Sequence, residues 1–219
     1  MRSIIDLSGK TPRNANRLIR KYAATDKKIV LKNVNSMHYI AAGLVGNCEI
    51  EVDGDVGYYA GSMIHGIRIH IKGRAGWYPG DNMTDGEIVI EGDGGDGAGQ
   101  GMYGGTLYVK GNTNSRTGQI MKNGTIIVGG DSKFMTGLYM MGGRIIVLGN
   151  LGEFSGESII GGAIYFGGEY KSLGKNAKVE KINEKDAREL QVIFKKYGIK
   201  ANPKKFKKIV PEKSRPFYG

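Results

Sequence analysis

The chain has 219 residues, 37 of them glycine, with a single cysteine and a net charge of +11. Glycine stands well above the usual ~7%, yet no Gly-X-Y period runs through the sequence, which excludes collagen. One cysteine forbids an internal disulfide, and no apolar run of roughly 18 residues or secretory segment is present, so a soluble cytoplasmic protein without a membrane role is expected.

Residues 1–28 carry eight Lys or Arg against two Asp. Thr11-Pro12 is a good helix start, with proline in the first turn. Ala15, Leu18, Ile19 and Tyr22 come next at helical spacing. This segment reads as a basic helix that caps the repeats beyond it.

From residue 29 to about 175 the chain repeats. Seven glycines fall 19 residues apart: Gly54, Gly73, Gly92, Gly111, Gly130, Gly149 and Gly168. Four residues before each is Ile50, Ile69, Ile88, Leu107, Ile126, Ile145 or Ile164, and two before each is another apolar residue, from Val52 to Phe166. That alternation is a short strand with one face buried. A second glycine row begins at Gly61 and includes Gly118 and Gly137. A third row runs Ile64, Met83, Met102, Met121, Met140, Ile159. Two residues beyond that row, Gly66, Asp85, Gly104, Asn123, Gly142 and Gly161 are residue types that tolerate the left-handed conformation, so a left-handed turn is expected there. A fixed period of this size is the signature of a solenoid. The expected fold is an all-β, right-handed parallel β-helix of about seven coils, with helices at both ends. Six steps at the spacing of paired strands give a rod of roughly 29 Å.

Motifs inside the rod are weak. Gly92–Gly97 fits the glycine pattern of a dinucleotide loop, but a turn and a strand come after it instead of a helix. His38, His65 and His70 occupy different coil registers, and Cys48 is the only thiol, so a metal site is not expected. Ser62, Ser115, Ser132 and Ser155 read as turn residues, with no nucleophile elbow before a helix. Glu49 and Glu51 share a strand face, which reads as a solvated surface. Tyr58, Tyr59, Trp77 and Tyr78 occupy equivalent places in adjacent coils, where they serve either an interface or packing under the first helix.

The outward strand row runs Glu51, His70, Val89, Tyr108, Ile127, Ile146, Tyr165 and becomes apolar toward the C-terminal coils, so it needs a cover. A helix over 183–197 can supply one. Asn183 and Asp186 cap it, Ala187, Leu190, Ile193, Phe194 and Tyr197 form its apolar face, and Gly198 stops it. Residues 200–219 carry seven Lys or Arg against one Glu, which leaves −1 for residues 29–199. Their three prolines predict an extended basic tail outside the fold. Three segments result: 1–28, 29–175 and 176–219. The tail's Lys204, Lys205, Phe206, Arg215, Phe217 and Tyr218 join the coil aromatics as candidate interface residues. On charge alone, nucleic acid and an acidic protein fit the two basic ends equally well.

The coils GDVGYYAG (54–61), GRAGWYPG (73–80), GDGGDGAGQGMYGG (92–105) and MMGGRIIVLGNLG (140–152) resemble the GXGXG domain, the C-terminal β-helix of the glutamate synthase large subunit. The resemblance covers roughly residues 26–175 and implies a free-standing subunit of this type. Similar coils belong to the third subunit of formylmethanofuran dehydrogenase and to a subunit of N-methylglutamate synthase, which shares the entry strand at Leu31–Asn35 and the exit Ser172-Leu173-Gly174. In glutamate synthase, the glutaminase and the FMN and iron–sulfur domains carry the chemistry, and the β-helix is a scaffold between them. The resemblance thus implies a non-catalytic assembly subunit in glutamate biosynthesis. No catalytic, cofactor or metal residue is expected in this chain, and FMN and iron–sulfur are expected in a partner. The sequence agrees: Arg2 stands where a nucleophilic cysteine would come after Met1, and no cysteine cluster exists. The implied partners are other subunits, not nucleic acid or a membrane, and self-association is left open. The alternative of another class is an independent nucleic-acid-binding β-helix.

Overall fold

A computed structural model describes residues 2–214. The repeat becomes a parallel solenoid with one short strand per coil: β3 (Glu49–Val52), β4 (Arg68–Ile71), β5 (Glu87–Ile90), β6 (Thr106–Val109), β7 (Thr125–Val128), β8 (Arg144–Val147) and β9 (Ala163–Phe166). They pair in register, Ile50 to Ile69, Ile88, Leu107, Ile126, Ile145 and Ile164, each partner 19 residues on. A second parallel line of single bridges joins Val56, Ala75, Gly94, Thr113, Ser132, Leu151 and Tyr170. Further backbone bonds tie successive coils at the turns, such as Gly80 N to the Ala60 carbonyl at 2.9 Å and Tyr78 N to the Asp96 carbonyl at 2.8 Å. The aliphatic rows and the methionine row Met83, Met102, Met121, Met140 point inward and are fully buried in one continuous core. Burial of one such side chain stabilises by about 1.5–3 kcal/mol, so stacked rows supply most of the driving force.

Six of the seven glycines, Gly73 to Gly168, have a cause in stacking, since a Cβ on each would meet the preceding coil, while Gly54 is open but sits at φ 121. In most coils the residue after the glycine reaches over the next coil: Asp93 Oδ1 accepts from Asn112 N at 2.7 Å, Asn112 Oδ1 from Asp131 N at 2.9 Å, and Asp131 Oδ1 from Asn150 N at 2.7 Å. A Cβ on Gly111 or Gly149 would overlap that carboxylate oxygen. The expected left-handed turn is displaced by one residue. Of the row from Gly66 to Gly161, only Gly66 has positive φ; in the later coils it is the next residue, such as Gly86 (φ 106) and Gly124 (φ 97), that turns. That shift is why Asp85 and Asn123 are accommodated without strain.

At the N-terminus, β1 (Arg2–Asp6) pairs in parallel with β2 (Lys28–Lys32), a strand that sequence periodicity did not reveal. The helix α1 (Pro12–Ala23) lies between them in sequence. Thr11 accepts from Asn14 N at 3.3 Å, and Ala15 and Ile19 seal the first coil. The step from β2 to β3 is longer than the rest, with Lys28 opposite Glu49, so the 19-residue register begins only at β3.

At the other end, β10 (Ala177–Lys181) leads into α2 (Glu184–Tyr197). Asn183 and Asp186 form a reciprocal capping box, and Gly198 closes the helix at φ 65. Leu190 and Phe194 pack on Tyr108, Ile127, Ile146 and Tyr165, so α2 covers the apolar half of the outer sheet face.

The segment after α2 corrects the expectation of an external tail. Pro203–Lys205 form a 3-10 turn, and β11 (Lys207–Pro211) enters the sheet antiparallel between β9 and β10. Ile209 pairs with Ile164 and is fully buried, and Phe206 packs on Phe194 at 5.4 Å between centroids. Pro203 and Pro211 stand at element ends, where a missing amide donor is tolerated.

Asp186 links these parts. Its carboxylate accepts from Asn183 N, the Tyr165 hydroxyl (2.8 Å) and Lys208 Nζ (2.9 Å). Burial acts to raise its pKa, but these donors outweigh burial and hold it below the ordinary value. Burial and the same carboxylate push the Tyr165 hydroxyl far up, which keeps it a donor. Because the folded pKa of Asp186 is depressed, its contribution is fully present above the unfolded value, near pH 4, and is lost as pH falls through the folded one. Wild type should therefore lose melting temperature more steeply below about pH 4 than Asp186→Asn, while the variant is less stable at neutral pH. Parallel curves across pH 2–7 would contradict this role.

Candidate functional site

Two exposed features and one groove stand out once the coils are stacked. The first is a double aromatic ladder at one corner. His38, Tyr58 and Trp77 form one file, with centroids 4.6 and 4.7 Å apart; Tyr39, Tyr59 and Tyr78 form the other, at 5.4 and 5.0 Å. The coil step places equivalent residues one above another, and flat rings fit that spacing. His38 lies over Gly57, where a Cβ would overlap its ring, and its Nδ1 accepts from Tyr58 N at 2.8 Å. The files end at the next coil, where Gly95 and Gly97 lie directly against Trp77 and Tyr78. Tyr58 and Trp77 are not packed under α1, since they remain 38% and 46% exposed, while Tyr59 and Tyr78 are half-buried. The helix reaches the ladder at Tyr39, whose carbonyl accepts from Asn16 Nδ2 at 2.8 Å. The two files contain all four coil aromatics expected from the period; His38 and Tyr39 were missed because the first coil is longer.

The second feature is the face of α1. Arg13, Arg17, Arg20 and Lys21 are exposed, α1 contains no acidic residue, and among the described residues none of these four cations makes an ion pair.

The groove, of about 450 Å³, lies on the outer sheet face beside the end of α2. Its charges are matched internally. Glu51 takes Lys72 and Lys28, which hold its carboxyl down to about 2. His70 Nε2 meets Glu91 Oε1 at 2.6 Å, and Lys110 meets Glu91 at 2.8 Å. Glu87 takes Lys196 at 2.8 Å and the Tyr197 hydroxyl. Glu49 pairs with Arg68 at 2.9 Å. A surface whose charges already satisfy one another offers little net field to a charged ligand.

The remaining candidates separate. Lys204 and Lys205 are exposed on the 3-10 turn, whereas Phe206 is buried and is not available as an interface residue. Arg215, Phe217 and Tyr218 lie outside the described residues. His65 bonds Thr84 at 3.1 Å and stands apart from the other two histidines in its contacts. Cys48 is buried, and desolvation raises its thiol pKa, so it is held as the neutral thiol. Among the described residues no group of three or more His, Cys, Asp or Glu could hold a metal ion. The tract Gly92–Gly97 turns the corner of one coil and leads into β6. Ser132 is not a surface turn residue. It joins Thr113 (3.0 Å), Thr117 (3.2 Å) and Thr136 (2.7 Å) in a buried hydroxyl ladder inside the coil. Thr113 with Ser132 and Thr117 with Thr136 share coil registers, and that periodicity was the available signal. No described helix is long and apolar enough to cross a membrane.

Known proteins agree with this architecture. No curated protein matches the sequence significantly. Among solved structures, one chain of the formyltransferase/hydrolase complex of Methylorubrum extorquens, crystallised with methylofuran, is similar at 26% identity with a TM-score of 0.73. The match covers 90% of this chain and 84% of that one. The family model described as the GXGXG motif matches residues 13–213, from the first helix through the last strand. The glycine coils, the solenoid they build and this match place the chain in the GXGXG motif family, and it belongs to that family.

Proposed function

We propose that this chain is a structural and assembly subunit of a multi-subunit enzyme complex, of the glutamate synthase type, working in the cytoplasm. Its partners carry the glutaminase site and the FMN and iron–sulfur chemistry, and its own coils present surface. The observation that supports this most is the coverage: family model and solved neighbour both span nearly the whole chain, and the neighbour is one chain of an enzyme complex. The interior supports it too. It is filled by stacked side chains, and the sizeable outer groove is occupied by internally paired charges. Surface, more than pocket, is what the fold offers.

A second reading has its own support. The 26% identity to a chain of a formyltransferase/hydrolase complex favours a one-carbon transfer complex as the parent. The cofactors of the partners separate the two. Subunits that co-purify with flavin and iron–sulfur absorbance favour the glutamate synthase type, and colourless subunits with formyl-transfer activity favour the other. In either case the isolated chain should be colourless and should release no ammonia from glutamine. Bound flavin or glutaminase activity above background in the isolated chain would overturn the structural role.

A further inference from the structure

We propose that α1 and the aromatic ladder together form one docking face, and that its occupant is an acidic face of a partner protein subunit. The inference rests on the assembly reading above and specifies where, and by what chemistry, a partner binds.

Contiguity comes first. Asn16 bonds the Tyr39 carbonyl, and Arg13 and Arg20 stand three before and four after Asn16, on the same side of the helix. The cationic stripe therefore borders the ladder directly. Among the described residues the cations are also uncommitted. The two acids of the N-terminal segment are used elsewhere: Asp6 accepts from Ser8 N and Asn33, and Asp26 from Ser3 and Thr25. A stripe of like charge that no described residue pairs carries a net field, unlike the matched groove on the sheet.

The ladder adds to that field. Within each file the ring faces are spent on one another, and at the Trp77 and Tyr78 end they are closed by Gly95 and Gly97. Along the stacked files, what remains exposed is ring edge. Ring edges carry the positive end of the aromatic quadrupole and meet carboxylate and carbonyl oxygens. Arginine, tyrosine and tryptophan on one patch are the residue types that dominate interface energetics. A single-stranded nucleic acid stacks successive bases on a series of free ring faces, and in these files the successive faces are already taken by the neighbouring rings. An acidic protein surface uses both the arginines and the edges.

The test uses the tagged full-length chain expressed in its native host. Wild type should bring down its partner subunits, and carbodiimide coupling should join Lys21 to an Asp or Glu of one of them. Combined Arg13→Glu, Arg17→Glu and Arg20→Glu should reduce retention of the partners at least about tenfold, because unlike pairs become like pairs. Trp77→Ala should weaken retention without charge change, and salt should weaken the wild-type complex. The glutamates lie on an exposed face, and the helix dipole favours Arg13→Glu in the first turn while it opposes Arg20→Glu in the last, so a nearly unchanged melting temperature is expected. A variant that keeps its partners at the wild-type level would overturn the docking face and leave the assembly reading intact. So would a variant that loses only binding to a single-stranded oligonucleotide. Wild type recovered without any partner subunit would overturn the assembly reading, and this inference with it.

Discussion

Deletion of residues 200–219 lowers the melting temperature by more than about 10 °C. The segment contributes Phe206, packed on Phe194 at 5.4 Å, and Ile209, fully buried against Ile164. Truncating a buried Phe or Ile costs about 3–5 and 2–5 kcal/mol respectively. For a chain of this size, each kcal/mol moves the midpoint by about 2–4 °C. Removal also strips β10 and β9 of their shared partner and leaves Asp186 without Lys208. Ile209→Ala alone should show a large part of the loss, while Lys204→Ala and Lys205→Ala, on the exposed turn, should show almost none. A truncated chain that melts with the full one would mean that β11 is not part of the folded unit.

The second large effect is Gly118→Val. Gly118 sits at φ +68, and an added Cβ would overlap Ile145 Cδ1 in the next coil. A β-branched residue in the left-handed region costs about 1–2 kcal/mol, and overpacking a tight core adds about 1–3. The expected destabilisation is therefore about 2–5 kcal/mol. Glu49→Gln, on the exposed Arg68 pair, should stay within about 0.5 kcal/mol of wild type. Thermal or urea unfolding of the two variants measures both, and equal stabilities would refute the coil register.

The architecture was legible because the solenoid writes each coil in the same register. Ile50, Ile69 and Ile88 announce one inward row, and Tyr108, Ile127, Ile146 and Tyr165 announce an outward row that α2 must cover. What was not legible breaks the period or depends on long-range pairing. β1 has no coil register, since it pairs only with β2. β11 was obscured by its lysines and prolines. Its hydrophobic content is one inward residue, Ile209, and its slot exists only because β10 and β9 leave it open. The left-handed turn was misplaced by one residue because glycine occurs at both positions in several coils, such as Gly104 and Gly105, and only φ separates them.

The interface candidates divided for a similar reason. Tyr58, Tyr59, Trp77 and Tyr78 kept their exposed corner because the period places them together. Phe206 resembled a tail anchor by its basic neighbours, yet a residue's neighbours in sequence say nothing of the face it turns to the core. The uncommitted face of α1 was readable as charge, but not as a stripe beside the ladder, because that adjacency is created by the Asn16 to Tyr39 contact across the first coil.

The central claim is that this chain works as a non-catalytic part of an assembly. Native mass spectrometry of the tagged chain purified from its own host, with the visible spectrum of each separated component, tests it most directly. The expected result is a defined complex of this chain with larger subunits, in which the chromophore stays with the partners when the chain is released. A chain recovered as a free monomer, or one that keeps the chromophore itself, would contradict it.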